Sequence, residues 1–271
     1  MSTLKFGCQT YSWQMSYDTY SQRLDHIIKV AAEAGFTGIE PEVCMLGAYR
    51  MEPERLLDTL EAHALHLGAL CLVCDWCAPR ETEAERIEAD CAITFLKNFP
   101  GTLLTLCQMP GKDRDNLHER QQHCLACITE VAHRAAKAGI ATAFHPNSPP
   151  GSVFRVEEDY RLLLDALESS VLGFAPDTGH IARGGMNPHD IFHQYTAKIH
   201  HVHYKDMTAD RNWIEMGRGV IDFPLITADL HHARYSGWIM VEDESPAAET
   251  DPDGVTRRNG QYIHERLYAK G

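Results

Sequence analysis

Short apolar runs alternate with longer stretches whose apolar residues recur at helical spacing, and this unit repeats along the chain. Runs at 4–10, 36–42, 69–75, 102–108, 140–145, 171–177, 199–203 and 238–242 predict strands, and the stretches 20–34, 52–67, 81–98, 116–138, 156–167 and 188–195 between them predict helices. The first helix carries Leu24, Ile27, Ile28 and Ala31 on one face, and the second Leu56, Leu57, Leu60 and Ala64. Three of these stretches stop at a glycine (Gly35, Gly68, Gly139), the residue best suited to the left-handed conformation that ends a helix. Eight such strands, with no Pro/Gly/Ser-rich linker among them, predict one (β/α)8 barrel domain, α/β in class, over residues 1–271. An open doubly wound sheet is the alternative. It is disfavoured because no G-x-G-x-x-G follows the first run and the eight units are near-equal.

Composition narrows the function classes. With 25 Lys and Arg against 38 Asp and Glu, the net charge is −13, and no cluster of five or six cations occurs, so no nucleic-acid partner is expected. No apolar run reaches the roughly 20 residues of a bilayer span, and the N-terminus lacks an apolar signal core, so a cytoplasmic protein with no membrane partner is expected. Nine cysteines are an odd number. Cys8, Cys71, Cys91, Cys107 and Cys124 sit in apolar or periodic segments, as buried free thiols do. Cys71, Cys74 and Cys77 form a C-x-x-C-x-x-C run, but strand alternation points Cys71 and Cys74 to opposite faces, against a thiolate metal site.

In a parallel barrel the C-terminal strand ends converge on one mouth. The last four strands end in His145, Asp177, His203 and Glu242, a mixed nitrogen and oxygen set that can hold a divalent metal. Each residue alone has an ordinary structural explanation; four at successive strand ends point to a site. His180 follows Asp177 by three residues, and Lys205 shares a strand face with His201 and His203. Trp13, Gln9 and Tyr11 after the first strand, Glu40 and Glu42 at the second, and Asp75 and Trp76 at the third are candidates to line the mouth. Asn147 and Arg183 are candidate substrate contacts, and Trp213, Glu215 and Met216 lie in a long excursion where a lid is expected.

The segments FHPN (144–147), PDTGHIARGG (176–185), IHHVHYKD (199–206), MGRGVIDF (216–223) and YSGWIMVEDE (235–244) resemble the xylose-isomerase-like barrel superfamily of sugar isomerases and epimerases, most of all its inosose dehydratase-like members. The resemblance spans 6–244 and is strongest from residue 141 onward. It implies that His145, Asp177, His203 and Glu242 are the metal ligands and that His180 and Lys205 touch substrate. Many members carry Glu where this chain has His145, which departs from a symmetric two-glutamate epimerisation and leaves His145 open as ligand or base.

The function expected from this resemblance is proton abstraction beside the carbonyl of a keto-sugar or inosose. Its end point is a dehydratase or lyase, or an isomerase or epimerase. His145 or Glu242 serves as base, and Lys205 with His180 steadies oxyanion charge. One divalent metal is expected: Mn first, with Co, Mg or Zn as alternatives. A lyase acting on C- or O-linked 3-oxo-glycosides to release an aglycone is the alternative reaction. An abasic-site endonuclease is opposed by the charge, and a sugar-binding or inactive partner subunit is the non-enzyme alternative. A homo-oligomer, or a hetero-oligomer with a small partner subunit, is the expected assembly.

Overall fold

The computed structural model describes residues 4–168 and 170–268. Its eight barrel strands are β1 (Lys5–Gln9), β2 (Gly38–Glu40), β3 (His66–Leu67 and Ala69–Cys74, interrupted at Gly68), β4 (Leu103–Gln108), β5 (Thr142–His145), β6 (Leu172–Phe174), β7 (Val202–Tyr204) and β8 (Trp238–Val241). The helices that follow them are α1 (Leu24–Glu33), α2 (Pro53–Ala62), α3 (Glu83–Leu96), α4 (Leu117–Lys137), α5 (Glu157–Ala166), α6 (Pro188–Tyr195), α7 (Phe223–His232) and α8 (Pro252–Arg266).

All ladders between barrel strands are parallel. One sheet runs from the first half of β3 through β2, β1 and β8 to β7, and a second runs from the rest of β3 to β6. Two seams close the ring. Cys71 N–H donates to the Pro41 carbonyl, and His203 N–H to the Pro176 carbonyl, each at 2.9 Å. Single bridges Glu42–Cys71, Phe174–Ile199 and Asp177–His203 mark the same seams. Short strands at the β6–β7 seam release Asp177 from regular pairing while still fixing it beside His203.

The helices bury apolar stripes against this ring, as the helical spacing predicts. Gly35 (φ +84°) and Gly139 (φ +76°) occupy the left-handed positions expected after α1 and α4. The second helix departs from expectation. It stops at Ala62, Ala64 takes φ +53°, and His66–Leu67 becomes strand instead of helix, so Gly68 lies inside β3. Gly7 and Gly68 leave room under the mouth for Met240, whose sulfur and methyl would lie 2.4 and 2.3 Å from a Cβ at those positions. That side chain helps fill the barrel floor.

The final helix gathers the loops above the barrel. Asp253 accepts from Trp13 Nε1 and from His26 Nε2, both at 2.8 Å. Asn259 accepts from Met216 N–H at 3.1 Å and donates to Asp243 at 2.8 Å. Arg258 pairs with Glu215 at 2.7 Å. Segments after β1, β7 and β8 are therefore tied to α8. All nine cysteines are free; Cys71 and Cys74 are buried, whereas Cys77 and Cys91 are exposed, the last against expectation. No described helix is long and apolar enough to cross a membrane.

Candidate metal centre

His145 ends β5, Asp177 lies three residues beyond β6, His203 sits within β7 and Glu242 follows β8. All four are buried, and one donor atom from each lies within 4.8 Å of the others. His203 Nδ1 is 2.8 Å from Glu242 Oε2, while its Nε2 is 2.7 Å from Glu40 Oε2. Glu40, at the end of β2, also bonds His201 Nε2 at 2.9 Å. Proton donation from His203 Nε2 to Glu40 leaves Nδ1 as the ligating atom, the carboxylate–histidine arrangement that orients metal-bound imidazoles. His145 Nδ1 lies 3.3 Å from the Ala175 carbonyl, which leaves its Nε2 free in the same way.

Lys205 supplies the fixed charge. Its buried ammonium donates to Glu242 Oε1 at 2.7 Å and to Glu244, reaches His180 Nε2 at 3.0 Å and lies 3.6 Å from Asp177 Oδ2. Burial opposes that charge, but Asp177, Glu242 and Glu244 outweigh it and hold the pKa well above the usual lysine range. The same contest decides the histidines. Burial and then the neighbouring His203 push His145 down to about 3, so its imidazole is neutral at working pH. His203 is also penalised by burial, yet Glu40 and Glu242 raise it to about 10. Burial and Lys205 keep His180 neutral. Burial lifts Asp177 to about 6 against the pull of Lys205, whereas Glu242 is held well below the carboxylate range by Lys205 and His203 despite its burial.

The donor set fits a divalent cation. Asp177 Oδ2 is buried with no hydrogen-bond partner among the described residues, although Asp177 Oδ1 accepts from His180 N–H at 2.7 Å. The Lys205 ammonium faces Oδ2 at 3.6 Å without hydrogen-bonding it, which leaves its lone pairs free to ligate a metal ion. Two imidazoles and two carboxylates are the mixed ligands that hold Mn, Co, Zn or Mg.

Above the cluster lies a cavity of about 220 Å³. His180, Asn147 and Arg183 line it, as does Trp213 from the Asp206–Met207/Trp213–Ile214 hairpin after β7. The indole packs edge-on to His180 at 5.4 Å, with Arg183 4.5 Å and Lys205 5.2 Å from its ring. Gly179 permits this: a Cβ there would lie 2.9 Å from both Trp213 and Lys205 side-chain atoms. Asn147 donates to the Gln108 carbonyl at 2.7 Å and accepts from Ser152, so its amide is engaged by the protein. The Gly184 and Gly185 amides bond back to His180 and Ala182, ending a short helix and leaving none of these donors for an anion.

The structure departs from the expected lining at four residues: Glu40 is buried behind His203, Asp75 is exposed outside the cavity, Trp76 is buried away from it, and so is Trp13. A four-residue helical turn, Tyr11–Gln14, carries its indole away from the cavity to Asp253, and the side chain is fully buried. Sequence reasoning missed two residues beside the site. Glu244, which bonds Lys205, was signalled only by the acidic run after β8, and Ser148, 2.8 Å from His180 Nδ1, had no local signal. In the H-x-H-x-K-D motif, Asp206 is an architect of the following loop, accepting from the Gly217 and Gly219 amides at 2.9 Å.

Barrel and mouth together define a (β/α)8 protein with a buried, metal-competent histidine–carboxylate centre. The chain matches the xylose isomerase-like TIM barrel family over residues 28–265 and belongs to it. It is 23% identical over 282 residues to an inosose dehydratase of Geobacillus kaustophilus, covering 93% of this chain and 89% of that one. Among solved structures, the IolI protein with a bound zinc atom superposes with TM-score 0.79 at 16% identity, covering 99% of this chain and all of that one. The 3-keto-D-glucoside 4-epimerase YcjR of E. coli gives 0.74 at 16%, covering 96% and 99%. At that identity the structural likeness establishes the fold.

Proposed function

We propose that this chain is a divalent-metal enzyme that removes the proton beside the carbonyl of a keto-sugar or inosose and then expels a β-substituent, as a dehydratase or lyase. The observation that carries this reading is the opening of a single-ring-sized cavity onto His145, His203 and Glu242 of the metal cluster, with the Lys205 ammonium bonded behind the lining carboxylates Glu242 and Glu244. At about 220 Å³ it is smaller than the roughly 300–1,000 Å³ typical of drug-sized sites, which favours a small polyhydroxy ring. The full-length similarity to an inosose dehydratase supports the same substrate class.

His145, Asp177, His203 and Glu242 would hold the metal, with Mn as the ion proposed and a cytoplasmic setting. When bound, the metal would polarise the carbonyl and an adjacent hydroxyl of the substrate, acidifying the neighbouring C–H. Glu242 is kept ionised by Lys205, the protonation state a base requires; His145, kept neutral by burial, has one free nitrogen and serves either as ligand or as base. Lys205, buried behind the lining and bonded to Glu242, Glu244 and His180, is a preorganised cation for negative charge developing on oxygen beside those residues. His180, held between Ser148 and Lys205, fixes that ammonium in place. Trp213 and Arg183 cover this side of the cavity and restrict water.

A 3-oxo-glycoside lyase is the second reading, favoured by the uncharged side chains Cys71, Val73, Cys107 and Met109 that line the other side of the cavity and suit a less polar aglycone. Both are tested together by incubating metal-loaded protein with inososes, ketohexoses and 3-oxo-glycosides in D2O and following the products by NMR. A dehydrated product or released aglycone is expected. Exchange without elimination would assign an isomerase or epimerase, and the absence of both from every substrate would refute the reading.

A further inference from the structure

We propose that Glu42 is the acid that protonates the departing group, an assignment that rests on the elimination reading above. In that reaction the base takes the C–H proton, its electron pair forms the new C=C bond, and the C–O bond to the leaving group breaks. The departing oxygen then needs a proton. Asp177 and Glu242 belong to the metal cluster, and Glu244, although burial and Glu242 raise its pKa as well, is engaged by the Lys205 ammonium beside that cluster. Glu42 is the remaining carboxyl on the cavity wall.

It sits across the cavity from that cluster, just past β2, among Gln9, Tyr11, Gln14, Cys71, Cys107 and Gln108, with no cation on its side of the lining. One oxygen, Oε2, accepts from Gln14 Nε2 at 2.9 Å and from Cys44 Sγ at 3.7 Å. No described residue bonds Oε1, which is left for a ligand. Burial raises the Glu42 pKa most, Glu242 and Glu40 add like-charge repulsion, and the bonds from Gln14 and Cys44 oppose them, for a value of about 7. Tyr11 is pushed up to about 12 and the Cys71 and Cys107 thiols also rise, so these neighbours stay neutral. After transfer, Glu42 is a carboxylate and the base is protonated; exchange of one proton with water restores both.

The test compares metal-loaded wild type with Glu42→Gln on an inosose and on 3-oxo-glucosides bearing either an alkyl alcohol or 4-nitrophenol. The variant is expected to keep its metal and its C–H exchange in D2O within a few fold, and to lose elimination of hydroxide or alkoxide by about 100-fold or more. The 4-nitrophenyl substrate, whose anion leaves without a proton, should recover to within about tenfold of wild type by the same reasoning. Wild-type kcat/KM for the alkyl substrate should fall as pH rises through about 7, and that limb should vanish in the variant. Near wild-type elimination, or an equal loss with both leaving groups, would overturn the assignment while wild-type exchange still upheld the reaction. Wild type without exchange or elimination would end both. Should Glu42→Gln fail to retain metal, Glu42→Asp, whose shorter side chain draws the acid back from the leaving group, should lose alkoxide elimination more than 4-nitrophenol release, and equal losses would overturn the assignment.

Discussion

Strands β5 to β8 bring His145, Asp177, His203, Lys205 and Glu242 to the mouth, crowded into one charge network, whereas β1 to β4 contribute glutamine, cysteine, valine and methionine around the lone carboxyl of Glu42. In the β5–β8 half, burial alone would neutralise most groups, and mutual pairing decides which remain ionised. Removing one member there exposes the others to an uncompensated desolvation cost. In the β1–β4 half the wall is electrically quiet, so a single acid can keep its proton. Structure and chemistry are thus entangled on one side of the mouth and separable on the other.

The largest expected effect comes from breaking the crowded half at its centre. His203→Ala strips the partner from both Glu40 and Glu242 and should reduce metal retention beyond the roughly 10–100-fold of an outer-sphere change. Metal analysis of purified, folded variant checks this; full stoichiometric retention would remove His203 from the ligands. Next, Lys205→Met should keep metal but lower kcat by about 100–1,000-fold, and unchanged turnover would make Lys205 purely structural. Glu40→Gln, which reaches the metal through His203, should weaken metal affinity by roughly 10–100-fold, and competition with a chelator measures it.

A smaller effect separates the halves by pH. In metal-stripped protein His203 is raised to about 10, so its stabilising contribution is complete below the ordinary histidine value of 6.5 and is lost as pH rises from there through 10. Thermal midpoints of stripped protein should fall over that window. A flat profile would show that His203 is not held as imidazolium. Smallest of all, Trp13→Phe removes one bond to Asp253 and should cost about 1 kcal/mol of stability with KM unchanged; a raised KM would return Trp13 to the substrate site.

The barrel was legible because its signal is local and repeated: each strand and helix announces itself by period. The convergence of strand ends five to eight was legible for the same reason, since D-T-G-H and H-x-H-x-K-D mark their own segments. What stayed hidden depends on distant pairing. Glu40 and His203 are 163 residues apart and meet only when the ring closes. Trp13 carries the residue type of a sugar platform, but a short turn after β1 redirects it to α8. Likewise Leu65 and Leu67 continue the apolar content of α2, and only the left-handed Ala64 shows that the chain has already left the helix.

The tethering of three loops by α8 has a consequence in time. Every proposed metal donor lies in the second half of the chain, and the loops after β1, β7 and β8 are pinned by residues 253–259. Domains generally fold as units, so although the β1–β4 half of the mouth is translated first, the charged half has neither its last donor nor its clamp until α8 has been made. A nascent chain that stops short of α8 would carry unpaired histidines and carboxylates with no defined pocket, and selective metal capture awaits that helix.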